Sequence, residues 1–92
     1  MQLIDVTNSF ASSIRHELMY STVHFIKVYS LGNSKVVYKK KFDTAEIVIS
    51  NKIRPVTQKE VDYVATKLLG TQAKQAVITK TPNLVEISLE NQ

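Results

Sequence analysis

Six short segments of the chain have the composition of strands, and only two segments show the spacing of an amphipathic helix. The strand-like segments lie at 2–6, 23–30, 35–42, 45–50, 75–79 and 84–89, and several alternate apolar with polar residues. Alternation with a period of two is typical of a strand with one buried face. The helical segments fall after the first and the fourth strand. The predicted order is therefore β-α-β-β-β-α-β-β.

The first helical segment is marked by an apolar stripe. Phe10, Ile14 and Leu18 recur at four-residue spacing, and polar residues fill the opposite side. The stretch from Thr7 to Ser9 offers three successive N-cap candidates. This pattern predicts an amphipathic helix of about twelve residues.

The second helical segment has the clearer boundaries. Thr57 and Glu60, three residues apart, form the pattern of a capping box, in which each side chain satisfies a free backbone N–H group of the other. Gly70 is a natural C-terminal stop because glycine adopts the conformation that ends a helix without strain. The sequence therefore predicts a helix that begins after Thr57 and ends before Gly70.

These elements predict a single α+β domain over residues 1–92. Each helix has one apolar stripe, so the simplest burial packs both helices on one face of a largely antiparallel sheet of about six strands. Gly32-Asn33 suits a tight turn between two of the strands. The repeated β-α-β-β order also suggests an internal pseudo-two-fold arrangement.

The composition argues against most enzyme classes. The chain has no cysteine, which excludes disulfides, cysteine-bound zinc, iron–sulfur clusters and thiol catalysis. Two glycines are too few for a phosphate-binding loop. His16 and His24 lie on different elements without metal-ligand spacing, and no pair of carboxylates suits acid–base chemistry. We therefore predict a non-catalytic protein with no metal and no cofactor.

The N-terminal residues lack the features of a secretion signal. They contain no basic region, and Asp5 interrupts the apolar run. No stretch approaches the roughly twenty apolar residues that cross a bilayer. We therefore expect a cytoplasmic protein that does not bind membranes.

Positive charge is concentrated in the middle third of the chain. Eight basic and two acidic residues lie between His24 and Lys59, whereas the remainder has four basic and six acidic residues. Such a region attracts nucleic acid or acidic proteins, and aromatic rings on an open sheet can stack on unpaired bases. The candidate surface comprises Lys27, Tyr29, Tyr38, Lys39, Lys40 and Lys41. Alternatively, these lysines only solvate the ends of strands, because the sequence does not fix the face on which each lies.

Exposed aromatic residues suggest a second kind of surface. Tyr63 falls outside the apolar stripe of its helix, and Phe25 lies within the strand predicted at 23–30. Aromatic side chains near charge are common anchors of protein interfaces. We therefore predict an interaction module that binds a protein partner or self-associates through its sheet, with nucleic-acid binding as the alternative. The other possibility is that these rings complete the core.

Three segments, FIKVYSLGNSKVVY at 25–38, SNKIRPV at 50–56 and NLVEISL at 83–89, together resemble a family of small uncharacterised proteins from lactic-acid bacteria and related Gram-positive bacteria. The resemblance covers nearly the whole chain and implies a bacterial cytoplasmic protein. It is carried by overall pattern and not by a catalytic signature, so it implies no functional residues.

Overall fold

The computed structural model describes residues 1–21, 23–42, 44–70 and 75–90. The helices are α1 (Ala11–Tyr20), which follows a 3-10 turn at Thr7–Phe10, and α2 (Gln58–Leu69). The strands are β1 (Leu3–Asp5), β2 (Phe25–Leu31), β3 (Ser34–Lys40), β4 (Thr44–Ser50), β5 (Gln75–Thr81) and β6 (Leu84–Glu90). The predicted order of elements and the α+β class are confirmed. Neither helix is long and apolar enough to span a membrane, as far as the described residues go.

The six strands form one sheet in the order β1-β2-β3-β4-β6-β5, and all neighbours are antiparallel. The first half of the chain places its strands side by side in chain order. In the second half the connection through α2 leads from β4 to β5 at the edge of the sheet, and β6 then lies between β4 and β5. The two halves are therefore not equivalent, and the predicted pseudo-two-fold arrangement is wrong.

Helix α2 covers one face of the sheet, which we call the α2 face. Val64 of the helix is fully buried together with Val36 of β3, Ile47 of β4 and Ile87 of β6. Ile47 opposes Ile87 in register, and Val36 opposes the equally buried Ile49, so these side chains meet beneath the helix. Burial of such side chains contributes roughly 1.5–3 kcal/mol each, and it makes this face the main core of the protein.

Helix α1 lies on the opposite face, which we call the α1 face. Ile26 and Val28 of β2 are 5% and 3% exposed, yet they belong to the strand positions that point away from α2. On the same face the Lys39 ammonium lies 2.7 Å from the Glu17 carboxylate of α1. The Lys35 ammonium lies 4.5 Å from the centre of the Phe10 ring, just before α1. Helix α1 therefore shields β2 from the other side.

The prediction that both helices share one face is thus wrong. The prediction fails because β2 is apolar on both faces. Ile26 and Val28 lie on one face, and Tyr29 and Leu31 lie on the other. A strand that is apolar on both sides is typical of a position covered on both faces. An apolar helical stripe shows that a helix is buried, but it does not show on which face of the sheet.

The two helices begin differently. The Thr57 hydroxyl accepts a hydrogen bond from the Glu60 N–H while the Glu60 carboxylate accepts one from the Thr57 N–H, so the predicted capping box of α2 is confirmed. No side chain caps α1. Its candidate Thr7 bonds instead to both backbone groups of Val28, which extends the edge of the sheet beyond β1.

Candidate functional site

A buried carboxylate organises the end of the sheet where β2 turns into β3. Glu60 is 4% exposed and accepts hydrogen bonds from the Ser34 hydroxyl at 2.6 Å and from the Arg54 guanidinium at 2.8 and 3.1 Å. The Thr57 N–H donates a further bond at 3.0 Å. The guanidinium above all, with help from Ser34 and Thr57 and against the effect of burial, lowers the pKa of Glu60 to about 2.

Asn51 connects this carboxylate to the neighbouring turns. Its amide group is buried and donates to Asn33 Oδ1 at 3.0 Å and to Ser34 Oγ at 2.9 Å. Its Oδ1 atom accepts from the N–H groups of Ile53 and Arg54. The amide of Asn83, in the turn between β5 and β6, donates in turn to the Asn51 and Arg54 carbonyls. The segment 51–57 is thereby fixed to both hairpin turns.

This polar network is fully hydrogen-bonded and holds the segment 51–57 in place. Every buried side-chain nitrogen or oxygen in the described residues has a hydrogen-bond partner. A carboxylate with a pKa near 2 stays ionised at neutral pH, so Glu60 is a poor proton donor or acceptor there. Sequence reasoning assigned Glu60 to capping alone and missed Asn51, Arg54 and Asn83. The available signal was the pair of asparagine-containing turns and the polar segment that precedes a capped helix.

The predicted basic and aromatic residues come together in part. Cross-strand register pairs Lys27 with Tyr38 and Phe25 with Lys40, so these four side chains share the α2 face. We call them the β2–β3 surface. Tyr29 points to the same side and packs, like Tyr38, against the edge of the core.

The β2–β3 surface is only partly open. The Phe25 ring is 40% exposed and lies 5.6 Å from the Tyr38 ring, measured between ring centres. Burial raises the pKa of the Tyr38 hydroxyl, and the nearby Tyr29 raises it further. The Lys27 ammonium lies 3.6 Å from the Asp5 carboxylate. The open part of this surface is therefore one exposed ring flanked by two lysines.

The remaining predicted residues lie elsewhere. Lys39 is on the α1 face, paired with Glu17. Lys41 lies beyond β3, where its N–H group bonds to the Thr44 carbonyl at 2.9 Å. Tyr63 is half-buried against the core, with the Lys67 ammonium 5.7 Å from its ring. The lysine run 39–41 is thus divided between the two faces of the sheet, and Tyr63 serves largely as a core residue.

Strand β5 gives the sheet a free edge. Within the described residues β6 is its only neighbour, and every side chain from Ala76 to Thr81 is exposed. Val77 on the α2 face is 51% exposed and Ile78 on the α1 face is 50% exposed. The opposite edge, β1, has three residues. The longer and more apolar edge is therefore β5.

Comparison with known proteins places this fold in a family. Residues 1–90 match the family described as "Domain of unknown function (DUF1827)". The chain belongs to the DUF1827 family. A crystal structure of a conserved protein of unknown function from Streptococcus thermophilus LMG 18311 is similar to it, with a TM-score of 0.90 and 25% sequence identity, over 100% of this chain and 98% of that one. No curated protein matches the chain.

The two histidines of this DUF1827 chain are exposed and lie against aromatic rings. The His16 ring is 4.9 Å from the Tyr20 ring, and the His24 ring is 6.2 Å from the Phe42 ring, measured between centres. The part of the chain that the structure describes contains no group of three or more acidic or histidine side chains able to hold a metal ion. The histidines therefore form one tilted and one edge-to-face aromatic pair at the surface.

Proposed function

We propose that this protein is a non-catalytic interaction module that self-associates through the free edge of β5. The observation that carries the proposal is the exposure of apolar side chains on both faces of an edge strand. An unpaired strand edge presents a row of N–H and C=O groups that another strand can complete.

Strand β5 has little of the protection that edge strands usually have. Natural edges are blunted by short length, proline, charge or bulges. This strand has seven residues and no proline. Its Lys80 ammonium lies 3.1 Å from the Glu86 carboxylate, which neutralises the charge that would otherwise protect the edge. An irregularity in pairing falls between Thr79 and Thr81, which leaves 75–79 regular. The regular part is long enough to pair with an equivalent strand.

A second copy of the chain is the partner that fits best. Antiparallel pairing about a two-fold axis at Val77 would set Val77 against its own equivalent on the α2 face. It would set Ile78 beside Ala76 of the other copy on the α1 face. Two-fold interfaces of this kind use the same patch on both subunits. The small Ala76 leaves room for the larger Ile78 in that arrangement.

The charge distribution also favours pairing at β5. Residues 60–90 carry three basic and four acidic side chains, so this third of the chain is nearly neutral. Strands β3, β4 and β6 separate β5 from β2, which places the basic β2–β3 surface about 15–20 Å away. This distance exceeds the Debye length of about 8 Å at physiological salt, so repulsion between the basic regions of two copies is screened.

The test is the mass in solution of the wild-type chain and two variants, measured by light scattering over a wide concentration range. Val77→Lys would place two ammonium groups opposite each other at the two-fold axis, so we expect a monomer. Ile4→Lys changes an equally exposed apolar residue at the β1 edge and should dimerise like the wild type. A wild-type chain that stays monomeric at the highest concentration would refute the proposal.

A second candidate function, binding of single-stranded nucleic acid, is favoured by the register of β2 and β3. It places an exposed ring and two lysines, Phe25, Lys27 and Lys40, on one face. With two phosphate contacts, the logarithm of the binding constant should fall with the logarithm of the salt concentration with a slope of about −1.4. This slope corresponds to a roughly sevenfold loss of affinity between 50 and 200 mM salt.

The corresponding assay is gel retardation of a single-stranded oligonucleotide at low and moderate salt. Lys27→Gln with Lys40→Gln should abolish the salt-dependent shift. Lys39→Gln is the matched control because Lys39 lies on the other face beside Glu17. Absence of retardation at low salt would remove this candidate.

A further inference from the structure

A cleft of about 590 Å³ opens on the α1 face, beneath the turn between β2 and β3. Its floor is formed by Ser30, Lys35 and Ser50, which lie side by side on β2, β3 and β4. Phe10 forms one wall at the start of α1, and Ile53 forms the other in the segment between β4 and α2. Its volume falls within the range of pockets that hold small organic molecules.

The cleft is cationic and has no acidic side chain in its lining. Lys35 and Lys52 both border it. Elsewhere in the described segments Lys27, Lys39 and Lys80 each lie within 4 Å of a carboxylate. Within those same segments neither cleft lysine has a carboxylate partner at that distance. Three lysines are thus paired with carboxylates, whereas the two that border this concave site are not.

The cleft combines this charge with apolar surface. The Phe10 ring lies beneath the Lys35 ammonium at 4.5 Å, so the cation is held over an aromatic wall. Ile53 is 76% exposed, although it is a large aliphatic residue at the opposite rim. The Ser50 hydroxyl lies beside Lys35 on the floor and can donate a hydrogen bond to an anion, whereas the Ser30 hydroxyl already donates to the Gly32 carbonyl at 3.2 Å. Apolar walls with a few convergent polar groups are typical of ligand sites.

We propose that this cleft binds a small organic anion, with its acidic group between Lys35 and Lys52 and its apolar body against Phe10 and Ile53. The ligand class is a carboxylate, sulfonate or phosphate that carries an aromatic or aliphatic group. The inference is independent of self-association, because β5 lies at the far edge of the sheet from the cleft.

The test uses 8-anilinonaphthalene-1-sulfonate as the probe and follows its fluorescence on titration with the full chain. Lys35→Gln with Lys52→Gln should weaken binding roughly tenfold, because it removes both cationic partners of the sulfonate. Lys27→Gln with Lys40→Gln removes the same charge from the β2–β3 surface and should leave binding unchanged. Lys35→Arg with Lys52→Arg should restore it.

Two further arms separate the contributions of charge and apolar surface. Neutral N-phenyl-1-naphthylamine and inorganic phosphate should each bind at least tenfold more weakly than the sulfonate. Amide chemical shifts on titration should move at Gly32 and Ser50 and not at Phe25. Equal binding of the neutral probe or of phosphate, loss of binding in the β2–β3 control, or shifts confined to that surface would overturn the proposal.

Discussion

Replacing Glu60 with glutamine tests the buried network directly, because it removes one charge and changes little in volume. A pKa lowered from 4.5 to about 2 corresponds to about 3 kcal/mol of stability at neutral pH. The Arg54 side chain is 39% exposed, so solvent screens part of this interaction. We therefore expect Glu60→Gln to lower the free energy of unfolding by about 2–3 kcal/mol at pH 7.

The pH dependence gives the same prediction a second, independent readout. The folded-state pKa of Glu60 is below its ordinary value, so its contribution is complete above pH about 4.5 and is lost as the pH falls to about 2. Other carboxylates titrate in both proteins and cancel in the comparison. The difference between wild type and Glu60→Gln should therefore shrink steadily over this range.

Urea unfolding followed by circular dichroism at several pH values measures both effects. Glu17→Gln is the matched control, because Glu17 also forms a short ion pair but its side chain is 40% exposed. That change should cost less than about 1 kcal/mol. A loss below 1 kcal/mol in Glu60→Gln at pH 7, or a difference that persists at pH 2, would refute the assignment of Glu60 as the charged centre of the network.

Two further substitutions test the turn end of the sheet by the same unfolding measurement. Asn51→Ala should lower the free energy of unfolding by about 3 kcal/mol, because it removes the hydrogen bonds to Asn33 and Ser34. It also leaves the N–H groups of Ile53 and Arg54 without their acceptor. A loss under 1 kcal/mol would mean that water replaces the amide. Gly32→Ala should lower the free energy of unfolding by about 1 kcal/mol through backbone strain alone, since φ is +60°. An added Cβ would meet no atom within 4 Å, so no steric clash is expected. A loss above 3 kcal/mol would contradict this account.

Much of the candidate site could not be predicted from the sequence, because its members are distant along the chain. The composition identified a basic region, but the side of the sheet on which each lysine lies depends on register. Lys39 and Lys40 are adjacent in sequence, yet Lys39 meets Glu17 on the α1 face and Lys40 pairs with Phe25 on the α2 face. A one-residue difference reverses the face of a strand residue, so the lysine run could not act as one patch. The cleft at Lys35 and Lys52 likewise depends on three strands meeting in register.

The sequence alone determined the features that rest on local physics. The period of the apolar pattern fixed the order of strands and helices, and the Thr57–Glu60 capping box and Gly70 fixed the ends of α2. Only the tertiary structure decided that the helices cover opposite faces, that β6 enters between β4 and β5, and that Asn51 and Arg54 gather around Glu60. Local signals act over one or two turns of chain. The choice of face and of strand neighbour depends on which apolar surfaces fit together across the whole fold, and β2, apolar on both sides, was compatible with either face.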